Sequence, residues 1–430
     1  MKIKNIYNAS SAYFKNPYFG FTQGHTYLSS DDLKLIEKEI GKSNQAVTEC
    51  FERSFSRLVG GGQSVCFGAG RMGFYALMEV LNIGKGDEVI LQAATCSVMP
   101  NAILRRGATP VYADIDPNTF GSCVHAIEKV LSGRTRLIVA QHSFGIPCDI
   151  LSIIELARRK EIFLLEDCAL TLGSKIDDMN CGNFGDASLF STDHTKPINT
   201  IIGGLIYTRN KKLHAQLKAR QSQACELPAW KQKAIWKQLL FEREYHRPDN
   251  YGKSKLISPL RSKLKFAGKP FLDEDFRPTA STGYPYPSKM PGFLARLGSR
   301  EMDRWDDTSR IRRKLAEKLL HFFSEYRNVN LIPNGYLDSK NEITPLRFAW
   351  HEINGKQIRD SLSDYIDTSS TWFMAPIIGT KEPLENYGYV WGSCPKAESI
   401  GPSMVNIPCC VSEEWQDELV SKLSRLSHEF

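Results

Sequence analysis

The sequence of 430 residues contains no run approaching the roughly 18 apolar residues of a membrane-spanning helix. Its start, MKIKNIYNASSAYF, carries lysines but no following apolar stretch, so neither a leader nor a transmembrane segment is expected. The eleven cysteines include no C-x-x-C pair and no Cys/His spacing suited to zinc, and no metal is expected. Cys409 and Cys410 are too close in sequence for an ordinary bridge, so the thiols read as reduced and the chain as cytoplasmic. The formal net charge is +7, but its basic residues are spread along the chain rather than gathered into a motif with interleaved aromatics, which argues against nucleic acid as a partner. There is no internal repeat and no low-complexity tract. What remains is a globular composition, 42% hydrophobic, long enough for one large domain and a smaller one.

Between about residues 65 and 210, short β-rich runs alternate with helical patterns. EVILQ (88–92), TPVYADI (109–115), RLIVAQ (136–141), IFLLED (162–167), ASLFS (187–191) and GGLIYT (203–208) read as strands, while HAIEKVL and ILSIIELARRK carry apolar residues at helical spacing. Strands that lack alternation and are separated by helices predict a mostly parallel sheet sandwiched by helices, an α/β fold. Such sheets bind ligands at the carboxyl ends of their strands, where Asp167 and Ser191 fall. The large domain is assigned to residues 1–219, including an N-terminal arm. Residues 220–288 form a basic, Trp-containing insertion, expected to be solvated and packed on the surface. Residues 289–430 hold a long connecting helix, SREMDRWDDTSRIRRKLAEKLLHFFSEY, and a smaller α+β C-terminal domain.

Three features carry chemistry. Lys196 stands in a polar turn after an apolar strand, where desolvation and nearby cations can lower its pKa and leave its amine nucleophilic toward carbonyls; most lysines at such places only reach for water. Asp167 ends the strand FLLED, and a buried carboxylate there needs a cationic partner, or serves as a helix cap or core ion pair. Gly68, Gly70 and Gly73 open an amphipathic helix whose first N–H groups and dipole suit a phosphate, though glycines at such turns are common for backbone reasons alone. An amine, a carboxylate and a phosphate cradle on one parallel sheet are what pyridoxal 5'-phosphate requires.

The chain also resembles the DegT/DnrJ/StrS family of sugar aminotransferases, of fold type I. The resemblance lies in GKGDEVILQAATCSVMPNAILRRGATPVYADIDPNTF, FLLEDCA, GNFGDASLFSTDHTK, IGGLIYT and CPKAESIGPSMVNIPCC, in that order. It implies a pyridoxal-phosphate enzyme that transfers an amino group, from glutamate, to a keto-sugar acceptor that is nucleotide-activated, for polysaccharide or glycosylated natural-product biosynthesis. It implies Lys196 as the Schiff-base lysine, Asp167 as partner of the pyridine nitrogen, and Ser191 with the Gly70-Arg71 backbone at the phosphate. It implies a homodimer whose active site is built from two chains.

Several positions depart from the family. Ala69 and Arg71 flank the phosphate-binding glycine; the arginine either charges the phosphate site or packs on the helix. Cys96 replaces an aromatic that stacks on the ring, and Leu170 replaces a glutamine near the ring hydroxyl. His142 is a cofactor-site candidate. His194 either touches cofactor or substrate or is satisfied within its turn. PSKMPGF takes the place of an Asn-Tyr-Arg-Met segment that crosses the dimer, so Lys289 stands where an arginine is expected, and Lys263 and Lys265 of the insertion are candidates for contact with an unusual or phosphorylated substrate. Two other readings stay open: a sugar dehydratase of the same family, against which Lys196 argues because dehydratases carry histidine there, and a catalytically silent relative with a scaffolding role.

Overall fold

The computed structural model describes residues 13–263, 283–326, 328–368 and 371–427. Seven strands form one sheet in the spatial order Gln63–Phe67, Gly204–Thr208, Ala187–Ser191, Phe163–Asp167, Thr135–Gln141, Glu88–Gln92, Thr109–Ala113. From Ala187–Ser191 onward every pairing is parallel, and Gly204–Thr208 runs antiparallel to both its neighbours. Side chains alternate between two apolar layers. Val89, Leu91, Leu137, Val139 and Leu165 join the core that contains Met72, Phe74 and Leu77 of the helix Gly70–Val80, whereas Ile90, Ile138 and Leu164 meet Ile127, Ile153 and Leu156 on the other face. Burial on both faces is why these strands read as unbroken apolar runs. The edge strand Gln63–Phe67 went unpredicted.

A smaller α+β unit follows. Arg347–His351 pairs antiparallel with Met404–Pro408, and the two pack with helices Trp305–Tyr326 and Glu413–Ser427 around Leu319, Phe323, Phe348, Trp350, Ile407 and Leu419. The single connecting helix expected over 299–326 is two helices, Gly292–Met302 and Trp305–Tyr326. The break has a packing reason: Phe293, Leu294 and Leu297 belong to the large core, Leu315, Leu319 and Phe323 to the small one, so the chain must turn between them.

The insertion also departs from its expected surface position. In the helix Ala229–Tyr245, Ile235, Trp236 and Leu239 join the large core and Gln238 and Glu242 are buried, leaving Trp230 and Leu240 exposed. Lys265 and the Lys263 side chain lie outside the described residues. Among the described residues no helix is long and apolar enough to cross a membrane.

Candidate active site

The carboxyl ends of the parallel strands bring Asp167 and Ser191 onto neighbouring strands, with Leu189 in register beside Asp167. The Asp167 side chain is buried and its Oδ1 accepts the Ala169 N–H at 2.9 Å. Burial pushes its pKa up, opposed by that N–H and by the Lys196 and His142 charges. The strand Gln63–Phe67 runs in the same direction and delivers the helix Gly70–Val80 to this edge. Two bare glycines let helix and sheet touch: a Cβ on Gly204 would stand 2.4 Å from the backbone N and Cα of Gly70, and one on Gly70 would stand 3.6 Å from the Ser191 Cβ. Ala69 provides no side-chain cap for this helix, so its positive end faces the Ser191 strand end without a built-in acceptor from that position.

Lys196 sits in a turn closed by Thr192 N–H to Gly203 O at 3.0 Å and by its own N–H to Asp193 O at 2.8 Å. Its amine lies 4.2 Å from the centroid of the Trp372 ring. Burial lowers its pKa to about 8, Arg347 pushes the same way, and Asp193, Cys96 and Asp167 oppose. Arg347, fully buried, places its guanidinium 4.1 Å from the Trp372 ring and 3.6 Å from that of Phe21. Two cations thus share one indole.

The remaining sequence candidates fall into two groups. Cys96 joins the cluster: burial raises its thiol pKa, and Lys196 and Arg71 both act to lower it, which puts all three within electrostatic reach. Leu170 is buried. His142 was expected at the cofactor, but its ring is enclosed: Nδ1 accepts the Cys148 N–H at 3.0 Å and Nε2 faces Glu166 Oε2 at 3.1 Å. With both ring nitrogens engaged, neither is left for a ligand. His142, Glu166 and Cys168 lie close enough to hold a metal, yet Glu166 already accepts N–H groups from Gly182, Phe184 and Gly185, as a structural network would. His194 is satisfied outside its own turn, by Glu242 at 3.1 Å. Lys289 is drawn elsewhere, its amine 4.0 Å from Glu226 and its N–H donated to Cys225 O. Sequence reasoning missed Trp372, Arg347 and Glu242, which reach Lys196 or its turn from distant segments; a buried arginine in the apolar run LRFAW was the one available signal.

A sequence model of the DegT/DnrJ/EryC1/StrS aminotransferase family matches residues 35–424. Among curated proteins, the chain is 34% identical over 189 residues to a GDP-perosamine synthase of Escherichia coli O157:H7, covering 40% of this chain and 52% of that protein. It is 32% identical over 180 residues to the spore coat polysaccharide biosynthesis protein SpsC of Bacillus subtilis, covering 42% and 46%. The aligned part thus spans about half the length of these relatives. Among solved structures, the putative sugar aminotransferase Spr1654 of Streptococcus pneumoniae in its PMP form superposes with a TM-score of 0.69 at 17% identity, covering 96% of this chain and 99% of that one. Helicobacter pylori PseC, an aminotransferase of pseudoaminic acid biosynthesis, gives 0.68 at 17%, covering 96% and 100%. At these identities the superpositions establish the fold.

Proposed function

The chain belongs to the DegT/DnrJ/EryC1/StrS aminotransferase family, and we propose that it is a pyridoxal-phosphate-dependent aminotransferase that moves an amino group from glutamate to a nucleotide-activated keto-sugar, working as a homodimer. The observation that carries this reading is the convergence of a depressed-pKa lysine, a buried carboxylate and a helix start without a side-chain cap on one sheet edge. The residues fit the cofactor. A ring nitrogen that carries a proton would offset the cost of burying Asp167, and a phosphate would accept from the helix start at Gly70-Arg71 and from Ser191.

When bound, pyridoxal phosphate supplies a carbonyl that captures amines and a ring that withdraws electrons from the adjoining carbon. Lys196 would provide the amine that holds it and, when free, a base able to move a proton between two carbons, a task suited to a nitrogen near pKa 8. Asp167 would accept the N–H of the protonated ring nitrogen and so keep that proton in place. Trp372 borders the Lys196 nitrogen, Cys96 lies within electrostatic reach of it, and Arg347 adds a positive charge. The test is visible absorbance with cofactor, before and after glutamate. The account predicts a band that fades with glutamate and is missing in Lys196→Ala; a wild-type protein that binds no cofactor at all contradicts it.

A further inference from the structure

Glu242 of the insertion is wholly buried, and it grips the lysine turn on both sides of Lys196. Its Oε1 stands 3.1 Å from His194 Nδ1 and accepts from Gln238 at 3.0 Å, and its Oε2 accepts from Asn199 Nδ2 at 3.4 Å. Asn199 in turn uses Oδ1 to accept the N–H of Ile201, whose φ of 67° is left-handed and whose carbonyl accepts the His194 N–H at 3.1 Å. An insertion helix with a fully buried carboxylate at this point does more than fill space.

We propose that His194, locked by Glu242, is a positioning residue for Lys196: a fixed local cation on the same turn that keeps the lysine nitrogen uncharged and nucleophilic. This rests on the reading of Lys196 as the cofactor-binding lysine. Charged groups face His194 from several elements. On its own turn are Asp193, 3.9 Å from Nε2, and Lys196, whose charge repels it. On the insertion helix are Glu242 and His246, the latter held neutral by burial with its pKa near 4. Arg261 approaches through Gln238 Oε1, and beyond Asn199 lies the His25–Glu301 pair at 3.1 Å. Burial works against the imidazolium, but Asp193 and Glu242 outweigh it and raise His194 to about 9; Glu242, despite burial, is held by His194 at about 2. At neutral pH the pair is therefore ionised, its positive end toward the turn that carries Lys196.

The experiment follows the pH midpoint of the visible band in the cofactor-loaded protein, which reports protonation of the Lys196 nitrogen, in wild type, Glu242→Gln, His194→Gln and His194→Lys. Removing a nearby cation raises that midpoint, by about one pH unit for a charge at short range in a protein interior. Both Gln variants are expected to raise it, and His194→Lys, which keeps the cation, to leave it near wild type. Histidine NMR of the apoprotein is expected to show the His194 resonance, assigned by its loss in His194→Gln, moving its titration from about 9 in wild type to its ordinary range, about 6.5, in Glu242→Gln, so that the cation is lost there with the carboxylate. Unchanged midpoints in Gln variants that bind cofactor would mean a purely structural pair and overturn the proposal. Should the Gln variants fail to fold, a raised midpoint in His194→Lys overturns it equally. A titrating band that persists in Lys196→Ala would instead sink the assignment of the lysine itself, a separable result.

Discussion

The Lys196 amine lies 4.2 Å from the face of Trp372, on a ring whose centroid is also 4.1 Å from the Arg347 guanidinium. The indole attracts the charged lysine while the arginine repels it, so the nitrogen is balanced near the pH at which it must work. Replacing Trp372 by leucine removes the attraction, worth roughly 0.5–2 kcal/mol, and leaves the repulsion. The pH at which apoprotein begins to capture cofactor is expected to fall by about one unit, opposite in direction to the His194 and Glu242 variants. Stopped-flow capture rates across pH measure it.

Wild-type capture itself is expected to rise through pH 8 and level off, because only the uncharged amine attacks and burial lowers its pKa from 10.5 to about 8. A rise that continues to pH 10 would mean that Lys196 is not desolvated.

Asp167 trades stability for chemistry. Its carboxyl is buried and its pKa raised, so the ionised form is disfavoured in the apoprotein. Asp167→Asn keeps the shape and drops the charge. Thermal unfolding of the apo variant is expected at or above the wild-type temperature, while turnover falls by about 10²-fold or more; scanning calorimetry and steady-state rates check the two halves.

Gly204→Ala places a methyl against the backbone of Gly70, where nothing flexible can yield. Overpacking of this kind costs roughly 1–3 kcal/mol, and here it pries the helix start away from Ser191. Cofactor affinity, read by absorbance titration, is expected to fall at least tenfold.

His194 contributes to stability with a definite sign. Its folded pKa of about 9 lies above the ordinary 6.5, so its contribution is fully present below pH 6.5 and is lost as pH rises through 9. The stability difference between wild type and His194→Gln is therefore expected to shrink across that window in urea unfolding at successive pH values.

Much of the sheet was legible because local pattern and position coincide there. Asp167 and Ser191 close apolar runs that are strands, and Lys196 follows one of them. What escaped the sequence is long-range. Trp372 and Arg347 approach Lys196 from the smaller unit, and no spacing in a linear chain records that. The helix Ala229–Tyr245 looked like a surface element because its buried side includes Lys231, Gln232, Gln238 and Glu242, polar residues that hydrophobic periodicity does not count as core. The helical pattern over 299–326 hid a break because apolar spacing continues across it while the core being served changes. His142 was drawn toward the cofactor by its place at a strand end; the backbone N–H of Cys148 and the Glu166 carboxylate had already claimed it.

The most direct measurement is chemical trapping. Borohydride reduction of the cofactor-loaded protein, followed by peptide mass mapping, is predicted to place one cofactor mass on the peptide carrying Lys196 and on no other lysine. A label on a different lysine, or none on a protein that binds the cofactor, would contradict the account.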